Sequence, residues 1–289
     1  MKLQGTRILV TGASSGIGRA IAEALGAEGA VLALAGRRAE VLSEVAAAIA
    51  DAGGTQPVVV LSDLAVAGAA EALVREASMA IGPLDVVVNS AAVEGEGSYG
   101  DGAEGDAREL FEVDYWAPLS IARAAVPDMR ARRTGAIVNV VSLGAITPVP
   151  DTGQYPSAKA ALAVASEALR AELAGSGVRV IVVYPGFVDT PMLRAFRARP
   201  NLPNRWRRSL RVMPIGTAEK LARLVVAALT GRRQTIVYPR AFSLAPHFPS
   251  VARRLTAYLF PASATVDDRR VPRAARGAPL LGCCRGSQT

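Results

Sequence analysis

Tyr155 and Lys159 stand four residues apart, a spacing that puts both side chains on one face of a helix, about one turn from each other. Ser142 lies thirteen residues upstream of Tyr155. An unperturbed tyrosine titrates at about pH 10 and exchanges protons poorly near neutrality. A fixed ammonium nearby favours the phenolate and brings such a group toward the range where general acid–base catalysis is most effective. A serine hydroxyl beside it could donate a hydrogen bond to a carbonyl oxygen. Together these residue types suggest proton transfer to or from a substrate oxygen. Taken alone, Tyr-x-x-x-Lys reads equally well as a solvated helix start, so the surrounding elements must decide.

Those elements are legible along the chain. Arg7 to Val10 reads as a buried strand, followed at once by Thr11-Gly12-Ala13-Ser14-Ser15-Gly16-Ile17-Gly18 and a helix from Arg19 to Glu28. Strand, glycine turn and helix form the setting of a phosphate-binding loop. Glycine lets backbone approach a pyrophosphate, and a helix N-terminus offers N–H groups and the positive end of its dipole. A second strand, Val31 to Ala35, ends in Gly36-Arg37-Arg38, with no acid to hold a ribose 2′-hydroxyl. Arg37 and Arg38, with Arg19, could instead meet a 2′-phosphate, which favours NADP over NAD.

Helices over about 38–52 and 66–81 alternate with strands at 57–61 and 84–88. Asp63 follows the third strand, placed to bond an adenine amine. Asn89-Ser90-Ala91-Ala92 follows the fourth, where small residues would let a cofactor lie against backbone. Each could equally be a cap or strand terminator. A helical stretch over about 107–132 contains Asp114, and Ala136 to Val141 reads as a strand that Ser142 closes. Pro156 suits the first position of a helix, which puts Tyr155 at the entrance of one running to about residue 174. A sixth strand, Val178 to Val183, leads into Tyr184-Pro185-Gly186, and a helix at 217–230 and a strand at 235–238 follow. This alternation implies an α/β fold, a Rossmann-type doubly wound parallel sheet with helices on both faces and ligands at the strands' C-terminal ends. The glycine loop, Asp63, Asn89, Ser142 and Pro185-Gly186 all fall at those ends.

Composition agrees with a globular enzyme-sized chain: 289 residues, 51% hydrophobic and 20% charged. No apolar run reaches the roughly 18 residues that a bilayer span requires, and no signal-peptide pattern is visible at the N-terminus. The only cysteines, Cys283 and Cys284, are adjacent, so no disulfide framework exists and a cytoplasmic location is the default. The net charge of +8 is unevenly spread. Residues 1–191 hold 14 Lys+Arg and 22 Asp+Glu, whereas residues 192–289 hold 19 and 3. Such asymmetry points to an anionic partner for the basic part.

Thr11-Gly-Ala-Ser-Ser-Gly-Ile-Gly18, Asp63-Leu64, Asn89-Ser-Ala-Ala92, Ser142, Tyr155-x-x-x-Lys159 and Pro185-Gly186…Thr190 together resemble the motif set of the classical short-chain dehydrogenase/reductase family, over residues 5 to about 240. The resemblance implies strand order 3-2-1-4-5-6-7 and a homodimer or homotetramer built on the helices around 107–132 and 155–174. It implies that Tyr155 is general acid in reduction and general base in oxidation. Lys159 would support Tyr155 and hold the nicotinamide ribose, and Ser142 would orient the substrate carbonyl. Gly12, Ser14, Ser15, Gly16, Ile17 and Gly18 would cradle the cofactor. Arg37, Arg38, Asp63, Leu64, Asn89, Ala91, Pro185, Gly186, Val188 and Thr190 would line the rest of its site, together with Tyr155 and Lys159. The motif set includes no metal ligands. Two departures stand out. Asn89-Ser90-Ala91-Ala92 replaces the family's usual Asn-Asn-Ala-Gly, and Asp114 occupies the slot of an asparagine that supports a proton relay to the lysine. Asp114 is therefore a candidate catalytic residue, with a structural role the alternative.

The expected division is a catalytic domain over 1–240, with a substrate lid at about 187–216, and a basic extension over 241–289. Seven arginines and no acid lie between Met192 and Gly216, and Pro200, Pro203 and Pro214 argue against one long helix. Leu244, Phe248, Val251, Leu255 and Leu259 recur at helical spacing, with Arg253 and Arg254 off the stripe. That stripe could pack on the domain or a second copy, or attach to an anionic membrane. Residues from about 262 read as a disordered tail, His247 reads as structural, and no nucleic-acid-reading motif is present. The expected activity is NADP-dependent interconversion of a carbonyl and an alcohol on an apolar sterol, retinoid-like or long-chain substrate. The lid would offer Phe187, Met192, Leu193, Phe196 and Trp206. Reduction of a 3-oxoacyl thioester on coenzyme A or an acidic carrier protein is the alternative, and a non-catalytic dinucleotide-binding scaffold is an alternative of another class.

Overall fold

The computed structural model describes residues 1–93, 104–150, 152–200 and 202–261; the acidic glycine-rich stretch at 94–103 and the tail from 262 lie outside them. Strands β1 (Arg7–Thr11), β2 (Val31–Gly36), β3 (Val58–Leu61), β4 (Val86–Asn89), β5 (Gly135–Val140), β6 (Val178–Pro185) and, after two short strands described below, β9 (Thr235–Tyr238) form one sheet. Its order is β3-β2-β1-β4-β5-β6-β9, parallel throughout, so β9 is the seventh strand expected from the sequence. Successive side chains of a strand point to opposite faces. On β1, Ile8 and Val10 therefore pack with α1 (Gly16–Ala27), α2 (Ala39–Asp51) and α9 (Ala218–Thr230). Leu9 enters the opposite layer with α3 (Ala69–Ile81), α5 (Ala117–Ala131) and α6 (Gln154–Glu172). Both faces are covered, which is why these strands are almost continuously apolar.

The single helix expected over 107–132 is broken. It consists of α4 (Glu104–Phe111), a π-helical turn over Glu112–Trp116, and α5. The extra residue of a π turn rotates the helix locally, and here Asp114 within it is fully buried. Pro118, in the first turn of α5, suits the restart because it has no N–H to leave unbonded. Helix α6 begins at Gln154, so Pro156 is its third residue rather than its first, still in the turn whose N–H groups lack intrahelical partners.

The segment between β6 and α9 is the one expected to be a substrate lid, hereafter the lid. Two-residue strands β7 (Val188–Asp189) and β8 (Gly216–Thr217) pair in parallel at its base, and the Thr217 N–H donates to the Tyr238 hydroxyl at 3.0 Å. Between them stand α7 (Pro191–Ala198), capped by the Thr190 hydroxyl, and α8 (Asn204–Val212), two short helices as the prolines require. Leu202, Trp206 and Leu210 pack with Phe260, which follows α10 (Pro249–Leu259), in a cluster separate from both sheet cores. No helix among the described residues is long and apolar enough to cross a membrane.

Candidate active site

At the carboxyl ends of the central strands the fold opens onto a cavity of about 900 Å³. The glycine turn forms one end. Thr11 Oγ1 accepts hydrogen bonds from the Ser90 and Ala91 N–H groups, each at 3.1 Å, and draws the end of β4 against the turn. Gly12 has φ +66°, and a Cβ there would lie 2.8 Å from the Ala91 Cα. A Cβ on Gly18 would strike the Gly12 carbonyl. Only glycine fits these two close approaches. Helix α1 starts at Gly16, and its N-cap, Ser15, makes no side-chain cap bond; the first turn contains no acid. Its N–H groups are thus left for a ligand, and the cradle suits a pyrophosphate.

Beyond the turn, Ser14, Arg37, Arg38, Asp63 and Leu64 line the cavity. Arg38 donates to Ser14 Oγ at 2.8 Å, whereas Arg37 faces Asp63 at 3.9 Å. Asp63 also accepts the Ala65 N–H at 3.1 Å. Arg19, expected beside these arginines, pairs instead with Glu23 one helical turn on, at 2.7 Å, and does not reach the cleft. Asn89 does not line the cavity. Its side chain turns into the sheet, where its amide donates to Asn139 Oδ1 at 2.8 Å. Ala91, Pro185, Gly186, Val188 and Thr190 do line the cavity, as expected.

Ser142, Tyr155 and Lys159 line the other end of the same space. Ser142 Oγ accepts the Gly144 N–H at 3.0 Å, which leaves the hydroxyl proton for a group in the cavity. Lys159 is buried. Its Nζ stands 5.7 Å from the centre of the Tyr155 ring, 3.4 Å from the Val140 carbonyl and 3.4 Å from Asp114 Oδ2. Asp114 Oδ1 accepts the Val93 N–H at 2.9 Å. Burial pushes the Asp114 carboxyl above its ordinary range; the Lys159 charge and the Val93 N–H pull the other way without cancelling it.

Beneath this end runs a buried polar chain that sequence reasoning missed. Asn89 donates to Asn139, Asn139 to Ser166 Oγ at 2.8 Å, and Ser166 to the Leu162 carbonyl at 2.6 Å. It locks β4, β5 and α6 together and so fixes the rotation at which α6 presents Tyr155 and Lys159. Asn139, the one polar residue in Ala136–Val141, was the available signal.

The end of the cavity beyond Ser142 and Tyr155 is apolar. Phe187, Met192, Leu193 and Phe196 line it as expected. Trp206 does not; it is 2% exposed and packs edge-on against Phe260 as lid core. The wall also includes Phe242, Leu244, Phe248, Val251, Leu255 and Leu259, so the segment read as an extension completes the cavity.

Fold and site together define a nucleotide-dependent oxidoreductase of the Rossmann class. The chain belongs to the short-chain dehydrogenase family, whose model matches residues 6–201. It is 30% identical over 235 residues to the ketoacyl reductase HetN of Nostoc sp. strain PCC 7120, covering 81% of this chain and 79% of that one. It is similar to a 3-oxoacyl (acyl-carrier-protein) reductase from Agrobacterium tumefaciens C58 with NADP bound: TM-score 0.74, 28% identity, 81% of this chain and 93% of that one. It is equally similar to a short-chain dehydrogenase/reductase from Burkholderia phymatum in complex with NAD: TM-score 0.75, 26% identity, 92% and 98% covered.

Proposed function

We propose that the chain is an NADP-dependent oxidoreductase that interconverts a carbonyl and a secondary alcohol on an apolar substrate of the sterol, retinoid or long-chain kind. The observation that carries this reading is the continuity of one cavity, from the glycine turn past Ser142, Tyr155 and Lys159 into a bore walled by Phe187, Met192, Phe196 and Phe248. When bound, the nicotinamide supplies or accepts the hydride at the substrate carbon. In reduction the Tyr155 hydroxyl gives its proton to the carbonyl oxygen, and in oxidation the phenolate takes a proton from the alcohol. Ser142 donates a hydrogen bond to the same oxygen. Lys159, held by the Val140 carbonyl and Asp114, places its charge beside the phenol and holds the cofactor ribose.

The preference for NADP is supported by Arg38 against Ser14, by the absence of an acid at the end of β2, and by an NADP-bound relative; the NAD-bound one keeps the test necessary. A second reading, reduction of a 3-oxoacyl thioester, is favoured by the names of two similar proteins and by exposed arginines on α8 that could meet an anionic carrier. Exposed Trp116 and Val164, near or on the helices expected to form a dimer, support a homo-oligomer.

The deciding experiment is NADPH oxidation across carbonyls running from short aldehydes through sterones to 3-oxoacyl thioesters, for wild type and Tyr155→Phe. Loss of the tyrosine proton is expected to lower turnover by about 10²–10⁴-fold with cofactor binding intact. Unaltered turnover in the variant would reject the assigned chemistry. A profile confined to thioesters would replace the first reading by the second.

A further inference from the structure

Leu244, Phe248, Val251 and Leu255 are 57–65% exposed, yet the same four side chains line the cavity. They form a continuous stripe along α10 and the turn before it, beyond the scattered apolar residues of an ordinary soluble surface. Lid and α10 present one face, because α8 is fastened to the end of α10. Trp206 Nε1 donates to the Pro261 carbonyl at 2.9 Å, Ser209 donates to the Leu259 carbonyl at 2.8 Å, and Arg205 lies 5.5 Å from the centre of the Tyr258 ring. The charge of this face is predominantly cationic. Arg194, Arg197, Arg205, Arg208, Arg211, Arg253 and Arg254 are exposed, and Glu219 is the single acid between Pro191 and Pro261. None of these arginines lines the cavity, so they do not serve an anion inside it.

We propose that this face docks on an anionic lipid bilayer, with the stripe of α10 entering the interface and the cavity mouth opening toward the acyl chains. Arg194 pairs with Asp189 at 3.3 Å, but the remaining arginines leave the face strongly net positive, and a second copy of the chain would bring that same charge against itself. An anionic bilayer matches both halves of the pattern, apolar area in the boundary and arginines among the headgroups. The proposal rests on the cavity being the substrate's, but vesicle binding involves no turnover, so the two readings fail separately.

The test is flotation of the full chain with vesicles of phosphatidylcholine and with vesicles containing about one-third phosphatidylglycerol. Binding is expected to the anionic vesicles and to fall as salt is raised toward about 1 M, where charges are screened within roughly 3 Å. Each arginine near the surface contributes about fivefold to partition, so the triple variant Arg208→Glu, Arg211→Glu, Arg254→Glu is expected to lose at least 100-fold. It should still reduce a small water-soluble carbonyl at the wild-type rate. Phe248→Ser, at an exposed position, should weaken vesicle binding without lowering the melting temperature, which guards against misfolding of the triple variant. Equal flotation with neutral and anionic vesicles, no flotation with either, or wild-type flotation by both variants would overturn the proposal. So would capture by an acidic carrier protein, or salt-sensitive self-association, with no vesicle binding.

Discussion

Replacing Asp114 by asparagine keeps the size of the side chain and the oxygen that accepts the Val93 N–H, and removes the negative charge 3.4 Å from Lys159. The effect on the phenol can be bounded from the geometry. With Lys159 Nζ 5.7 Å from the ring centre and 3.4 Å from Asp114, the carboxylate lies no more than about 9 Å from that centre. At an effective dielectric of about 20, a unit charge at that distance opposes the phenolate by about 2 kcal/mol, slightly more than one pH unit. Asp114→Asn is therefore expected to move the limb of the oxidation profile that reports Tyr155 about one unit toward lower pH, with NADP affinity unchanged. Initial-rate kcat/KM for alcohol oxidation across pH 6 to about 10.5 measures this.

Stability supplies an independent readout with a definite sign. Because the Asp114 carboxyl titrates above its unfolded value of about 3.9, ionising it costs the folded state. Its contribution is present below about pH 4 and is lost as pH rises through the folded value. The asparagine variant should therefore gain on wild type over that window, by about 1.4 kcal/mol for each unit of elevation, or roughly 2–5 °C in melting temperature. An unmoved kinetic limb would refute the compensation of Lys159 by Asp114. A stability gap that narrows as pH rises would show that the ion pair, not burial, dominates.

Two further outcomes follow from polar contacts elsewhere. Arg38→Ala should weaken NADPH about 10- to 100-fold while leaving NADH nearly unchanged, the loss of a charge-assisted contact to a 2′-phosphate; an equal loss for both cofactors, measured by fluorescence titration, would contradict the assignment. At the opposite end of the sheet, Asp85 accepts hydrogen bonds from Arg7 and Arg132; burial pushes its carboxyl up, but those bonds overcome it and hold the carboxyl below its usual value. The stability it provides is present above about pH 4 and is lost as pH falls through the lowered value. Asp85→Asn should cost about 2 kcal/mol at pH 7 and flatten the acid limb of the melting profile, and an unchanged melting temperature at pH 7 would refute it.

The layered sheet was legible in the sequence because alternation of apolar strands with helical periods is a local signal, and each strand's end carries a residue with a mechanical reason to be there. Gly12 and Gly18 are such residues: the turn closes only where a Cβ is absent. What escaped were relations between elements. Asn89 was legible as the end of β4, but the partner of its side chain, Asn139, is fifty residues away in sequence. Trp206 looked like pocket lining because it is aromatic and in the lid, yet its indole N–H bonds Pro261 and its ring fills the lid's own core. The π turn carrying Asp114 has no composition signature, so its inward rotation was visible only in three dimensions.

The two ends of the cavity are built by different means, and this bears on which residues set the chemistry and which set the substrate. Ser142, Tyr155 and Lys159 are referenced to the main sheet, through the strand β5 and the buried chain from Asn89 to Leu162. The lid has its own small core and joins the body chiefly through the β7–β8 pair, the Tyr238–Thr217 bond and the end of α10. A change in the lid can therefore widen or narrow the bore without rotating α6. Regions with few buried contacts open at lower free energy than the core they sit on. On the proposed function, α7 and α8 are the part that would shift about the β7–β8 base to admit an apolar substrate while the proton-transfer groups stay fixed, and on the proposed docking their arginine-rich side is the one that would meet lipid.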